Sequence, residues 1–487
     1  MNRIRWRSEA DARVQGNLEQ ARLDRYEKRI LESKDWSSAF RHALVQGSQE
    51  ADLQFSKSHK RDRVIASVSA KVAAPFLIDY TIWILRKAKE EKIERLYFLA
   101  RDAQYVRDIA ESIAPELKLD CELRYLQVSR ISINLAAAGG LGGESESWLL
   151  SRIRRTTPLE LGAKLHLNSD ELRDALSAAD LPNASLGEQL GERSATDLLD
   201  VLRRDSYHSI IRDRAKQAGD RAIPYLQQEG IFEPVRIGVV DLGGTGSQFR
   251  AIASFRRTEG LTDPIGFLVC RDSNPSLDSA VEADDRAGCE RLHVYLTDDV
   301  RETGPKRFAA LITLLEVFCA ADHGRVVGYE ERSGKWIPVT DGSFGASIEQ
   351  WGLTVMRGSM DTVLSHVVGA DLIRNVGRAP AKVVARNLRS FVVAPSREEA
   401  IVWGSFPSSD DVGPKLAEPV NFPGLISTFR HREVPIRLRR WWPASVKLSP
   451  LWIRVFIKVM RFLRQLRLRW PSKRSEKKSR STPKFRP

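Results

Sequence analysis

Read for hydrophobic and polar positions alone, the chain alternates between short, almost wholly apolar runs and longer segments of helical period. Glu94-Arg-Leu-Tyr-Phe-Leu-Ala100, Cys121-Glu-Leu-Arg-Tyr-Leu-Gln-Val128, Val235 to Asp241 and Pro264-Ile-Gly-Phe-Leu-Val-Cys270 are each the length of a strand buried on both faces. Between the first two lies an amphipathic stretch through Ile113, so this region is predicted to be a βαβ unit with a right-handed crossover. Ahead of it, 64–85 is a mostly apolar, mostly buried helix with a charged exit at Lys87 to Lys92. Residues 132–230 read as polar and helical, with a flexible joint at Gly139 to Gly143 and a helix start at Thr157-Pro158. Gly328 to Val339 reads as a hairpin turning at Ser333-Gly334.

These patterns predict an α/β protein: a Rossmann-like parallel sheet with flanking helices, a helical insertion and a basic amphipathic C-terminal helix. The expected divisions are a helical N-terminal arm (1–60), an α/β core (61–131 and 230–300), the helical insertion (132–229), a helical and hairpin subdomain (301–436) and a basic tail (437–487). In the arm, Leu18, Leu23, Tyr26, Ile30 and Leu31 fall at helical intervals.

Charge changes the picture in one place. The net charge of +14 suggests nucleic acid, but residues 437–487 hold 17 Lys/Arg against the single acid Glu476, and everything before them nets −2. The basic character therefore belongs to the tail. There Arg454, Lys458, Arg461 and Arg464 recur every three or four residues, leaving a Trp/Phe/Ile/Leu face opposite. That is the pattern of a helix lying in the surface of an anionic membrane. The alternative reading is a helix docked on the protein body, and nucleic acid is the weakest of the three. No uninterrupted apolar run of ~18 residues marks a spanning helix. Nor does the N-terminus carry the apolar region of a secretory signal. Cys121, Cys270, Cys289 and Cys319 are widely spaced and mostly set in apolar runs, which fits a reducing, cytoplasmic setting better than disulfides or zinc.

The candidate chemistry sits where the apolar runs end. Asp241 is followed by Gly243, Gly244, Thr245, Gly246, Ser247 and Gln248, and then by a helical pattern. A strand, an acid and a glycine-rich turn before a helix make a cradle for phosphate, since backbone N–H groups and the helix dipole both favour an anion. The bland reading is a tight turn that merely needs glycine. In actin-like sugar kinases a similar string sits on a hairpin, whereas phosphoribosyltransferases place it before a helix, as here. Arg101-Asp102 ends the first strand, offering a guanidinium for pyrophosphate and a carboxylate for magnesium, or else a helix-capping aspartate beside a solvated arginine. Ser129-Arg130 repeats the design at the second strand end. Glu316, on an apolar helix, reads as a buried ion-pair partner before it reads as a site acid. The histidines, including His293, His323 and His366, lack metal-ligand spacing.

Three strings in order, Phe98-Leu-Ala-Arg-Asp-Ala-Gln104, Val128-Ser-Arg130 and Asp241-Leu-Gly-Gly-Thr-Gly-Ser-Gln248, resemble the FLARDG, SR and DIGxxGSxQ motifs of a bacterial family of cell-surface polysaccharide biosynthesis proteins. The resemblance extends more weakly through Glu316, Gly328-Tyr329 and Trp441-Trp-Pro443. Members of that family are often fused to haloacid-dehalogenase-type phosphatase domains. This implies a phosphoribosyltransferase-like core that transfers a (phospho)ribosyl or other activated sugar to a glycan acceptor, with a separate phosphatase acting afterwards.

On that implication Asp241, Arg101 and Asp102 are catalytic. Gly243, Gly244, Thr245, Gly246, Ser247, Gln248, Ser129 and Arg130 hold substrate or phosphate, and Asp102 and Asp241 hold Mg2+. The expected place is the inner face of the cell membrane. The chain departs from the family in having Ala103 for the motif glycine and no DxDxT/V phosphatase motif. The alternatives are a hydrolase or phosphatase associated with the dehalogenase type, and a non-catalytic membrane-associated scaffold that binds sugar phosphates.

Overall fold

The computed structural model describes residues 23–142, 146–150, 157–182, 184, 186–187, 190–244, 246–271, 291–296, 305–342, 344–377, 379–407, 415–421, 424–426 and 440–469. Its centre is a five-stranded sheet, every pairing parallel: β1 (Arg95–Leu99), β2 (Glu122–Leu126), β3 (Ile237–Gly244), β4 (Ile265–Arg271) and β5 (Leu292–Val294). Their order across the sheet is β2-β1-β3-β4-β5. All five residues of β1 are buried, as a central parallel strand with both faces covered requires.

Alternation along the strands sends side chains into two separate cores. Leu96, Phe98, Val240, Leu242, Phe267 and Val269 face one side. They pack with the Lys60–Glu90 helix, the Gln104–Ile113 helix and the helices of 305–404. Tyr97, Leu99, Leu126, Ile237 and Val239 face the other, toward the Arg130–Ala138, Asp205–Gln228 and Ser247–Thr258 helices. The helical insertion is thus the second covering layer of the sheet. The described part of the N-terminal arm, with helices Arg25–Glu32 and Ser38–Gln54, is built into the first core. Leu18 lies outside the described residues.

The Lys60–Glu90 helix is long and apolar enough by composition to cross a membrane, although the sequence argues against a spanning segment. Its apolar window is wholly buried inside the protein, where it serves as a central core helix. One π-helical turn, Ser69–Ala73, interrupts it just before Pro75. Proline cannot donate to the carbonyl one turn back and its ring crowds that carbonyl, so widening the turn lets the helix continue. Within that turn Lys71 is buried, its ammonium held by Asp52 at 2.6 Å, Asp24 at 3.0 Å and Glu27 at 3.7 Å.

Asp79, farther along the same helix, ties four chain segments. Its carboxylate accepts from Trp36 Nε1 at 2.8 Å, Tyr295 Oη at 2.5 Å and the Ala381 amide at 3.0 Å. Removing it leaves three buried donors without an acceptor, each costing about 1–3 kcal/mol. Asp79→Ala is therefore expected to lower unfolding stability by roughly 3 kcal/mol or more. Urea titration checks this: a loss under 1 kcal/mol at unchanged m-value would mean that water or neighbours replace the carboxylate.

The hairpin is as the sequence predicts. β6 (Val326–Arg332) and β7 (Lys335–Thr340) pair antiparallel, and Ser333 and Gly334 turn between them at φ of 50° and 75°. Thr157 and Pro158 also start a helix, Pro158–Leu165, with Thr157 and Glu160 forming a capping box. Gly139 ends the Arg130–Ala138 helix at φ 70° and Gly140 and Gly142 follow with positive φ, so the described part of the expected joint is a helix stop. Cys121, Cys270 and Cys319 are free thiols, and Cys289 lies outside the described residues.

Candidate functional site

The sheet changes direction of winding between β1 and β3, whose connections run to opposite sides, and that is where an open α/β sheet forms a crevice at its carboxyl edge. The depth of the crevice comes from unequal strand lengths. Pairing of β3 with β1 ends at Val240, opposite Phe98, while pairing with β4 continues to Gly244, opposite Arg271. The last four residues of β3 therefore stand beyond the part of β1 that pairs with it, with the turn 101–103 following β1.

Asp102 lies in that turn and Asp241 on the overhanging part of β3. Both are half-buried. Burial raises the pKa of Asp241, the negative charge of Asp102 raises it further, and the result is a group pushed up to about 7 against the opposing pull of Arg130 and the Leu242 and Gly243 amides. The Leu242 N–H donates to its Oδ1 at 2.7 Å. Asp102 is likewise raised by burial and pulled back by Arg101 and Arg130. Two carboxylates about 140 positions apart in sequence thus form one electrostatic unit with two arginines. Tyr80, from the central core helix, braces its floor, donating toward the carbonyls of Asp241 at 3.1 Å and Phe267 at 3.2 Å.

Several expectations are corrected here. Gly243 and Gly244 are strand residues and not part of a loop, being paired with Cys270 and Arg271 of β4. Gly243 has φ 152°, and a Cβ on it would come 2.4 Å from the Cys270 carbonyl oxygen. Close approach of β4 is the reason for glycine there. Thr245 lies outside the described residues. The described cradle shrinks to Gly246, in left-handed conformation at φ 71°, and to Ser247 and Gln248 in the first turn of the Ser247–Thr258 helix.

The Gln248 side-chain amide reaches back to the Val128 carbonyl at 3.4 Å. Ser129 is the N-cap of the Arg130–Ala138 helix and donates to the Val326 carbonyl at 2.5 Å, so its hydroxyl has a structural occupation. Arg130, next to it, is exposed and acts on both carboxylates. Asp102 is not a helix cap: the N-cap of Gln104–Ile113 is Ala103, with no side-chain capping bond. Glu316 is exposed, where a buried position was expected.

A rim around Asp102 could not be read from local sequence. Gln104 donates to Asp322 at 2.9 Å and accepts from Arg357 at 2.6 Å, while Tyr125 meets His323 Nε2 at 2.7 Å. The Asp102 charge is felt at Tyr125, whose phenol burial pushes far above its ordinary range. Of the other histidines, His293 pairs with Glu91 at 3.0 Å and His366 with Glu50 at 2.6 Å. An open cleft of about 550 Å³ runs on from Tyr125, lined by Arg107, Arg124, Tyr225, Lys335 and Trp336 among others.

Among the described residues no cluster of three or more His, Cys, Asp or Glu could hold a metal. Two carboxylates suit Mg2+ nonetheless, because that ion keeps waters and takes substrate phosphate oxygens beside one or two protein ligands. No protein-family model matches the chain, and no curated protein matches it at a significant level.

Proposed function

We propose that this crevice binds an activated sugar phosphate, a phosphoribosyl pyrophosphate in the first instance, and transfers its sugar to a glycan acceptor in the assembly of surface polysaccharide. The observation that carries the reading is the Asp102–Asp241 pair at the winding switch, with the charge of Arg130 acting on both carboxylates and that of Arg101 on Asp102. The ordered motifs that resemble the polysaccharide family supply the biological setting.

Gly246 and Ser247 present the positive end of the Ser247–Thr258 helix to the 5-phosphate. Arg101 and Arg130 neutralise the pyrophosphate as the bond from C1 to its oxygen breaks and the electron pair departs with that oxygen. The acceptor hydroxyl, entering along the cleft beside Tyr125, forms the new bond to C1 and gives its proton to the carboxylate pair. Asp102 and Asp241 would hold Mg2+, which supplies further neutralisation of pyrophosphate charge.

Thermal unfolding with Mg2+ and phosphoribosyl pyrophosphate tests the donor class. A ligand at ~100 times its Kd adds about 2.7 kcal/mol, which is a rise of a few degrees for a chain of this size. The rise is expected only with both additives and is expected to vanish in Arg130→Ala. Stabilisation by nucleotide sugars alone would move the donor to that class, and stabilisation by no sugar phosphate would remove the sugar-phosphate reading of the crevice. Tight binding of beryllofluoride would favour a phosphatase.

A further inference from the structure

The C-terminal helix Leu451–Arg469 has two apolar sides, and only one faces the protein. Ile453 and Ile457, four residues apart, are buried against Val420 and Leu425, with Trp442 and Val446 packed alongside. Leu451, Trp452, Val455, Phe456, Val459 and Phe462 remain between 42% and 67% exposed. At 100° per residue these six fall within one sector about 140° wide, centred about 150° from the docked isoleucines. A contiguous row of six large apolar side chains is more than the scattered exposure usual on a protein surface.

We infer that this outer face is a seat on an anionic lipid bilayer, and that the helix binds it while remaining fixed to the protein body. Charge identifies the occupant. Exposed Lys458 and half-buried Arg454 lie between the two apolar sides, and the sequence from 470 to 487 adds seven Lys/Arg against one acid. Pairing of two copies through the same face would bring two such cationic segments together. A surface of acidic headgroups neutralises them instead. An amphipathic helix in this position sinks its apolar face ~5–10 Å into the headgroup boundary. Because Ile453 and Ile457 hold the other side, the bilayer engages a rigid edge of the protein, so binding also orients the body.

Co-sedimentation of the full chain with vesicles tests this, using phosphatidylcholine alone and phosphatidylcholine mixed with phosphatidylglycerol. Binding is expected to the mixed vesicles and to weaken as salt is raised. The double variant Trp452→Ser/Phe456→Ser is expected to bind at least tenfold more weakly. Those substitutions lie on the exposed face, so thermal unfolding should stay at the wild-type value. Ile453→Val, on the docked side, is expected to keep wild-type binding. Equal binding to neutral vesicles overturns the inference, as does a double variant that binds like wild type. So does a wild-type dimer that the double variant dissociates, because the face would then be an interface between copies. None of these readouts depends on sugar-phosphate chemistry, so the two proposals can fail separately.

Discussion

Asp241→Asn is expected to lower sugar transfer by about 100-fold or more while making the protein more stable above neutral pH. The two effects share one cause. In the unfolded chain an aspartate titrates near 3.9, and in the fold Asp241 is raised to about 7 by burial and by the Asp102 charge. Between those values the folded protein holds a proton that the unfolded chain has lost. The stability associated with that proton is fully present below about pH 4 and is lost as pH rises through 7.

At pH 8 the ionised carboxylate then costs the fold up to roughly 4 kcal/mol, about 1.4 for each pH unit of displacement. Asparagine has no such titration. Urea unfolding at pH 5 and pH 8 should show wild type losing more stability across that interval than the variant, and added Mg2+ should restore part of it in wild type alone. A wild type and variant with parallel pH profiles would mean that the carboxylate is better solvated than its position implies. A variant with full transfer activity would remove Asp241 from the chemistry.

Gly243→Ala is the second large effect, and it separates two uses of glycine in one short string. At φ 152° only glycine is comfortable, and the new methyl carbon would meet the Cys270 backbone oxygen at 2.4 Å, a partner with no side-chain freedom to yield. Strain and overlap together should cost roughly 3 kcal/mol or more, with β3 and β4 forced apart at the point that carries Asp241.

Gly246→Ala makes the contrast. Its φ of 71° disfavours alanine by only ~1 kcal/mol, and a Cβ there has nothing within 4 Å. That variant should unfold near the wild-type midpoint. Any loss of sugar-phosphate binding in it would then report on the helix N-terminus itself. Chemical denaturation of both variants decides the matter, and equal destabilisation would remove the distinction between strand glycine and turn glycine.

How much of this was legible in the sequence follows from the range of the forces involved. The apolar run at 94–100 announces β1 because a strand covered on both faces must be apolar throughout, and the structure places Arg95–Leu99 there. Ser333-Gly334 announces its turn because both positions need φ above zero, a property of the residues themselves. The end of β3 was not legible. Whether Gly243 and Gly244 are loop or strand depends on whether β4 arrives to accept their pairing, and nothing between residues 237 and 248 encodes β4.

The C-terminal helix divides the same way. Its period was plain, but the choice of Ile453 and Ile457 as the docked side depends on Val420 and Leu425, more than twenty-five residues upstream. At the site, the order of residues is enough to place acids and arginines at three strand ends, since a buried apolar run must stop where charge begins. That β3 lies beside β1, bringing the charge of Asp102 to bear on Asp241 and giving Arg130 both of them to act on, comes from the assembled fold. So does the closing of the rim by Arg357 and Asp322, and the contact of the helix-capping Ser129 with Val326. Strand order is set by how whole faces pack into the two cores, and that free energy is a property of the assembled layers, absent from any one segment.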